Sequence, residues 1–197
     1  MELEFKPVVA GDIDRLRPFY GLRPNKTCDS VFLDSFLWKD YYHVQCAVSE
    51  GRAVLWLMEK DGQVSTAMPL CREEDLPYFF QQMVDYFSGV LHKPFYISLA
   101  DEEAVQCLNL DPALFEVEEQ VDLKDYLYSG EELRKLEGKK FVKKRNHLNG
   151  FKRTYEGRYE YRRLCCSDRH EVWQFMERWR QHKEEVGAME LSLDYEV

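Results

Sequence analysis

The sequence has no long hydrophobic run. Its longest wholly apolar stretch, Ala53–Met58, is far shorter than the roughly 20 residues that a membrane-spanning helix needs. The N-terminal residues Met1–Glu4 carry no basic residue ahead of an apolar stretch, so the pattern of a secretory signal is missing. From these absences we predict a protein without a transmembrane segment that is located in the cytoplasm.

The sequence also lacks the cysteine spacings of metal sites and redox motifs. Its six cysteines include no C-x-x-C pair and no His/Cys set with ligand spacing, so we predict no metal site. Without an export signal, we expect the thiols to be reduced and mostly structural. The adjacent Cys165 and Cys166 could include a nucleophile, but no partner base follows from the spacing, and a buried cysteine in a strand is the expected interpretation.

What the chain does have is a globular composition with an uneven charge. Its 197 residues are 45% hydrophobic and 14% aromatic, with a net charge of −9, so the chain can bury a core. Residues 1–130 hold 11 basic and 23 acidic residues, a net −12, whereas residues 131–197 hold 16 and 13, a net +3. Lys139–Arg153 holds seven basic residues and no acidic one. This pattern predicts an anionic partner for that segment alone.

Hydrophobic periodicity predicts alternating strands and helices over the first 128 residues. In chain order, the predicted elements are a strand Glu4–Ala10, helices Asp12–Tyr20 and Asp29–Tyr42, strands His43–Ser49, Arg52–Glu59 and Gln63–Leu70, a helix Glu73–Val90, a strand Pro94–Leu99, a helix Asp101–Leu108, and two β-like runs Leu114–Gln120 and Val121–Tyr128. Glu50-Gly51 and Asp61-Gly62 are typical of hairpin turns. We therefore predict an α/β (α+β) domain with a mixed, mostly antiparallel sheet of six or seven strands flanked by helices.

The pattern changes after Glu131. Glu131–Tyr155 is predicted to be one long helix, weakened at Gly138 and Gly150. A strand Arg158–Leu164 and a helix from Asp168 to about Val186 follow. We predict a first α/β unit at residues 1–128, a basic linking helix at 129–156, and the start of a second, truncated unit at 157–197.

The element order of residues 1–128 resembles that of the GNAT N-acyltransferase fold. Two stretches, SVFLDSFLWKDYY at 30–42 and LEGKKFVKKRNHLNGF at 136–151, resemble a bacterial family of unassigned function. That family is related to the C-terminal domain of phosphatidylglycerol lysyltransferase and consists of tandem GNAT-like proteins. The resemblance covers essentially the whole chain and implies one complete GNAT-like repeat followed by the start of a second.

The resemblance implies an acyltransferase or aminoacyltransferase whose cleft lies between two repeats. The related enzymes move an aminoacyl group from aminoacyl-tRNA to an acceptor such as a lipid headgroup, and their chemistry lies mainly in the second repeat. We therefore assign no catalytic residue and expect no cofactor in this chain, although coenzyme A or aminoacyl-tRNA could be the donor in a complete protein. The resemblance leaves open a non-catalytic polyanion-binding or scaffold module on a degenerate GNAT fold.

The turn that would hold coenzyme A is unusual. GNAT domains bind the pyrophosphate with backbone N–H groups of a glycine-rich turn at a helix N-terminus. The corresponding segment here, Pro69–Asp75, has no glycine and carries Glu73, Glu74 and Asp75 in succession. Because carboxylates repel a phosphate, we expect no coenzyme A binding of the usual kind.

The basic segment is the main candidate for a binding site. We predict that its cations lie on the helix face opposite Phe141, Leu148 and Phe151 and bind a polyanion, either tRNA or anionic lipid headgroups. These cations are Lys139, Lys140, Lys143, Lys144, Arg145, Lys152 and Arg153. Asn146, His147 and Asn149 are possible polar contacts to a ligand. A merely solvated linking helix is the alternative, and the sequence does not determine the oligomeric state.

Overall fold

The computed structural model describes residues 3–23, 27 and 31–185. Two compact units divide between Asp125 and Tyr126. We call the described residues up to 125 unit 1 and the described residues from 126 onward unit 2, and we describe each by itself.

Unit 1 is a mixed α/β unit. Its strands and helices, in chain order, are β1 (Lys6–Pro7), α1 (Ile13–Leu16), α2 (Phe32–Leu37), β2 (Gln45–Ser49), β3 (Ala53–Lys60), β4 (Gln63–Ala67), α3 (Leu76–Tyr86), β5 (Ile97–Leu99) and α4 (Glu102–Leu108). A π-helical turn, Phe87–Leu91, continues α3. The predicted α/β class is confirmed.

The five strands form one sheet in the order β1-β2-β3-β4-β5. The first four run antiparallel as a meander, and β5 lies parallel to β4 with a register shift at Thr66/Ala67. The predicted hairpin turns are confirmed, since Glu50 and Gly51 have φ values of 53° and 67° and Asp61 and Gly62 have 52° and 80°. Two successive positive φ angles match the twist of the flanking strands, and glycine adopts them without strain.

Strand β3 shows why this sheet is stable. Its side chains alternate, with Ala53 and Leu55 packed in a cluster with α3, and Val54 and Trp56 packed in a second cluster with α1 and α2. Both faces are therefore covered, and all four side chains are buried. This arrangement accounts for the uninterrupted apolar run in the sequence, because a strand buried on both faces needs no polar residue.

A buried ion pair joins the beginning of unit 1 to α4. The Arg23 Nη1 donates to both carboxylate oxygens of Asp101 at 3.0 Å, and both side chains are about 6% exposed. Asp101 Oδ1 also accepts a hydrogen bond from the Ala104 N–H at 2.9 Å, which caps α4. The predicted helix Asp101–Leu108 is thus confirmed, with Asp101 as its N-cap.

Several predicted elements of unit 1 are shorter than expected or absent. The first strand is limited to β1, where Pro7 has no N–H to donate, and the second helix to α2. Residues 28–30 lie outside the described part. The predicted strands Leu114–Gln120 and Val121–Tyr128 are wrong, since this stretch is irregular apart from one 3₁₀ turn. The sheet therefore has five strands, and apolar side chains of this stretch such as Leu114 (76% exposed) face water.

Unit 2 contains three helices in its described part: α5 (Gly130–Lys135), α6 (Val142–Thr154) and α7 (Arg169–Glu185). The prediction of one helix from 131 to 155 is wrong. Leu136 and Gly138 have positive φ angles of 51° and 83°, which end α5, and the Arg145 guanidinium donates to the carbonyl oxygens of both residues. Gly150, in contrast, stays inside α6.

The predicted strand Arg158–Leu164 is also wrong. This segment is irregular, and Tyr161 is 97% exposed. Cys165 and Cys166 are exposed as well, contrary to the expected buried cysteine. Alternating apolar and polar residues form a strand only where a neighbouring strand supplies hydrogen bonds. The described part of unit 2 contains no strand that could do so.

Asp168 begins α7 as predicted, although as the last residue of a 3₁₀ turn. Its carboxylate accepts from the Cys165 N–H at 2.8 Å and from the Arg162 guanidinium at 2.6 and 2.8 Å. The predicted end of the helix at Val186 lies outside the described residues. Within the described part of the chain, no helix is both long enough and apolar enough to cross a bilayer.

Candidate functional site

The basic segment begins in a 3₁₀ turn, Lys139–Phe141, and continues through α6. Of its seven cations, Arg145 is half-buried and the other six are exposed. Asn146, His147 and Asn149 are exposed too. Every residue that the sequence singled out on this helix is thus accessible to a ligand, except for part of Arg145.

The cations do not share one face of the helix. With about 100° per residue, Lys144 lies roughly 20° from Phe151, on the side that was predicted to be apolar. Arg145 and Lys152 share another side with Asn149, and Lys143 shares a third with His147. The prediction of a single basic face is wrong, because cations at five of the twelve positions from 142 to 153 necessarily point in several directions.

Three of the seven cations already have partners within the protein. The Lys140 Nζ lies 2.7 Å from Glu132 Oε1 and 5.1 Å from the centre of the Phe141 ring. The Lys144 Nζ lies 6.0 Å from the centre of the Tyr128 ring, and Arg145 holds the connection between α5 and α6. Tertiary structure therefore gives each of these three residues a partner within the protein, and Arg145 a structural role in the connection.

The remaining four cations, Lys139, Lys143, Lys152 and Arg153, are not engaged in this way. Within the described residues, their side chains make no hydrogen bond, no ion pair and no cation–π contact. They lie at the two ends of the basic segment. These are the cations that a polyanion can contact without first breaking an existing interaction.

The two ends differ in how the helix dipole affects them. Lys152 and Arg153 lie in the last turn of α6, where positive charge stabilises a helix. Lys139 lies just before the first turn, which contains no acidic residue, and there positive charge is unfavourable. Helix stability thus explains the C-terminal pair but not the N-terminal cation.

An open depression of about 600 Å³ lies at the C-terminal end of α6. The residues that line it are Asn149, Lys152, Arg153, Glu156, Gly157 and Tyr159. We call these residues, together with Phe151 and Tyr155, the α6 C-terminal surface. Of the three polar residues predicted as ligand contacts, Asn149 is brought into this surface.

Aromatic rings accompany the two cations of this surface. The Phe151 ring centre lies 4.9 Å from that of Tyr155 and 5.0 Å from that of Tyr159. All three rings are 45–46% exposed. The sequence analysis did not name Tyr155, Tyr159, Glu156 or Gly157 as candidate site residues. The i, i+4 spacing of Phe151, Tyr155 and Tyr159 was the signal that could have identified the ring cluster.

Around Cys165, the structure does not assemble a nucleophile. Its Sγ lies 2.9 Å from Ser167 Oγ and 3.3 Å from Asp168 Oδ2. The hydrogen bonds described for this thiol go to a hydroxyl and a carboxylate, and none goes to an imidazole that could act as a base. The Arg162 guanidinium holds the pKa of Asp168 well below its usual range, so this carboxylate stays charged. No group of three metal-ligating side chains occurs among the described residues.

The buried cysteines of unit 1 are suited to structural roles. Burial raises the pKa of Cys71 to about 11 and also raises the pKa of Cys46. Both thiols are therefore protonated at neutral pH and act as small apolar side chains. The five described cysteines are free.

The turn between β4 and α3 carries its own counterions. Arg72 precedes a 3₁₀ turn, Glu73–Asp75, that leads into α3. Arg52 forms an ion pair with Asp75, and the Arg72 guanidinium lies 3.8 Å from Glu74. The helix N-terminus that would face a pyrophosphate is thus surrounded by carboxylates, and the cations nearby are already engaged.

Comparison with known proteins links this chain to one family. A family model described as phosphatidylglycerol lysyltransferase, C-terminal, matches residues 21–196. A conserved protein of unknown function from Bacteroides thetaiotaomicron VPI-5482 has a similar crystal structure, with a TM-score of 0.83 and 22% sequence identity over 99% of this chain. The chain spans 65% of the length of that protein.

Because the two proteins are only 22% identical in sequence, the structural match shows that they share a fold and says nothing about a shared function. A search of the curated proteins finds no match. The family model carries the assignment, because it covers most of the sequence, including the basic segment. The chain therefore belongs to the family of phosphatidylglycerol lysyltransferase C-terminal domains.

Proposed function

We propose that this chain is part of a cytoplasmic acyltransferase or aminoacyltransferase and binds the tRNA of an aminoacyl-tRNA through the basic segment. The observation that carries the proposal is the α6 C-terminal surface, where Lys152 and Arg153 lie beside three half-exposed rings. Family membership supports a transferase-related role. The acceptor would be a lipid headgroup or another amine or hydroxyl group.

The sheet of unit 1 supports a GNAT-like fold. An antiparallel meander is followed by α3 and then by a strand parallel to β4, which is the element order that the sequence led us to expect of this fold. We further propose that unit 2 contains the beginning of a second repeat. Its exposed apolar side chains, such as Trp173 and Phe175, fit a repeat whose remaining elements would cover them.

Cations beside exposed rings favour a nucleic acid over a lipid. Phosphates are contacted by Lys and Arg, and unpaired bases stack on aromatic side chains. Lys143 and Lys152 are nine residues apart, which is about 14 Å along a helix, so they can contact separate phosphates. Lipid headgroups supply phosphates but no bases, so they would not use the half-exposed ring of Tyr159. The centre of the Tyr155 ring already lies 5.4 Å from the Arg158 guanidinium.

Binding of tRNA to charge-reversed variants tests the proposal. In Lys152→Glu/Arg153→Glu, two phosphate contacts are lost. We expect affinity for fluorescently labelled tRNA to fall about ten-fold or more, and the slope of log affinity against log salt to decrease by about 1.5 to 2. Arg134→Glu/Lys135→Glu changes the charge of unit 2 equally, on α5, and is the matched control. Unchanged tRNA binding in the α6 variant would overturn the proposal.

A second variant separates nucleic acid from other polyanions. Tyr159→Ala removes a ring from the α6 C-terminal surface without changing charge. We expect weaker binding of tRNA, since stacking contributes about 1–3 kcal/mol per base, with unchanged binding of heparin, which has no bases. An equal effect on both ligands, or binding to anionic vesicles that exceeds binding to tRNA, would favour the headgroup instead.

The second candidate function is a non-catalytic polyanion-binding or scaffold module. The turn between β4 and α3 favours it, because Glu73, Glu74 and Asp75 occupy the expected pyrophosphate position. Calorimetry with coenzyme A and discharge of aminoacyl-tRNA distinguish the two. A chain that binds tRNA but neither binds coenzyme A nor accelerates discharge in the presence of acceptors is a binding module.

A further inference from the structure

Three aromatic rings lie together just after α2 in unit 1, a region that the proposed tRNA surface does not include. The ring centres of Tyr41 and Tyr42 are 4.7 Å apart at an interplanar angle of 90°. The Trp38 ring lies 5.6 Å from each of them, at 62° and 50°. Tyr41 and Tyr42 meet edge to face, so the faces of these two rings form a corner.

The ammonium group of Lys60 occupies this corner. Its Nζ lies 3.9 Å from the centre of the Tyr41 ring and 5.5 Å from that of Tyr42, and it donates a hydrogen bond to the Tyr41 hydroxyl. Among the described residues, no carboxylate lies within ion-pair distance of Lys60. Two ring faces and a phenol oxygen therefore hold this cation.

Backbone hydrogen bonds and packing fix the position of Tyr42. The Tyr42 N–H donates to the Trp38 carbonyl at 3.0 Å, and the Tyr42 carbonyl accepts from the Glu59 N–H of β3 at 2.8 Å. The Tyr42 side chain packs against the buried cluster that contains Val44. These contacts hold Tyr42 independently of Lys60, and a ring that is already in position lowers the cost of binding a cation.

Lys60 itself is held less firmly. It is the last residue of β3, directly before the Asp61–Gly62 turn, and its ammonium sits at the end of a flexible four-carbon stem. The neighbouring residues Glu59 and Asp61 are acidic, and they favour cations near the corner. Rotation of the Lys60 side chain away from the rings would leave the corner of Tyr41 and Tyr42 open to another cation.

We propose that the corner formed by Tyr41 and Tyr42 is a binding site for the ammonium group of a small organic molecule, and that Lys60 is its internal competitor. A trimethylammonium group is weakly hydrated and fits against two ring faces, the arrangement by which aromatic corners recognise such cations. Lys60 leaves the corner when the ligand enters, so the affinity of the wild-type chain is reduced by the occupancy of Lys60.

Choline is the probe for this site. Its methyl protons shift upfield in an NMR spectrum when they lie over ring faces, and a titration gives the Kd. We expect Lys60→Ala to bind choline about ten times more tightly than the wild type. The uncharged isostere, with tert-butyl in place of trimethylammonium, should bind neither protein. No shift with Lys60→Ala, or equal binding of the isostere, would contradict the proposal.

Matched variants separate the corner from general effects. In the Lys60→Ala background, Tyr41→Phe keeps the ring face and should retain binding, whereas Tyr41→Leu should abolish it. Lys60→Arg keeps a cation on the rings and should bind choline as weakly as the wild type, and tight binding by this variant would overturn the competition. Lys39→Ala removes the cation 5.6 Å from the Phe36 ring and should leave choline binding unchanged.

Discussion

The two units use their aromatic residues in opposite ways. In unit 1, Phe79 and Phe87 are completely buried between α3 and the sheet. In unit 2, Trp173 and Phe175 are more than half exposed on α7. Among the residues of unit 2 whose burial the structure describes, only Phe141 and Asp168 are buried. A sheet covered on both faces excludes water from large side chains, whereas the described helices of unit 2 do not.

Local interactions define the helices of unit 2 instead. The Ser129 hydroxyl accepts from the Glu132 N–H at the start of α5. Arg145 binds the carbonyl groups that end α5, and Arg162 holds Asp168 at the start of α7. Caps and charge-assisted hydrogen bonds stabilise helix ends locally, so stability in unit 2 depends on different residues than in unit 1.

Truncation of a core ring should give the largest contrast between the units. We expect Phe79→Ala to lower the free energy of unfolding by about 4 kcal/mol, because it removes buried surface and leaves a cavity. Phe175→Ala, on the exposed face of α7, should change it by about 0.5 kcal/mol or less. Urea denaturation followed by intrinsic fluorescence measures both. Equal losses would show that Phe175 is buried in solution, for instance by a partner.

Loss of a carboxylate should distinguish a buried ion pair from an exposed one. Asp101→Ala leaves the Arg23 guanidinium charged and about 6% exposed, so we expect a loss of about 3 kcal/mol. Glu131→Ala breaks an i, i+4 pair with Lys135 in unit 2, where both side chains are more than half exposed, and should cost about 0.5 kcal/mol or less. A small effect of Asp101→Ala would mean that water reaches Arg23.

The smallest expected effect concerns pH and Asp168. Arg162 lowers the pKa of Asp168 in the folded protein relative to its unfolded value of about 3.9. Its stabilising contribution is therefore complete above that value and is lost as the pH falls through the folded pKa. We expect Asp168→Asn to lower the melting temperature at pH 7, measured from the loss of the helical signal. The difference in melting temperature between this variant and the wild type should narrow below about pH 4.

Circular dichroism at both pH values provides this measurement. The difference in melting temperature between Arg162→Gln and the wild type should also narrow below about pH 4, since this variant removes the main cause of the low pKa of Asp168. A difference that stays constant down to pH 2 would contradict the role of the ion pair.

Elements that depend on neighbours in the sequence were predicted well. The meander follows from Asp61-Gly62 and the alternation around it, and α3 follows from its apolar spacing. The start of α4 follows from Asp101, which caps the next turn. The same carboxylate also binds Arg23, 78 residues earlier, and no local pattern indicates that contact.

Elements that need a distant partner were predicted poorly. Leu114–Tyr128 and Arg158–Leu164 alternate like strands, yet no strand among the described residues pairs with them. The helix break at 136–138 depends on Arg145, whose role was assigned to ligand binding. Fewer cations are free to bind tRNA than the sequence predicts. Lys140 forms an ion pair with Glu132, and the Lys144 ammonium lies over the Tyr128 ring.

The sequence by itself determined the hairpin turns, the main helices of unit 1 and the concentration of positive charge at 139–153, because turn residues, periodicity and charge are local properties. Tertiary structure decided which alternating runs joined the sheet and which cations remained unpaired. It also brought Lys60 onto the rings of Tyr41 and Tyr42. These outcomes depend on residues far apart in the chain, and only folding sets the distances between them.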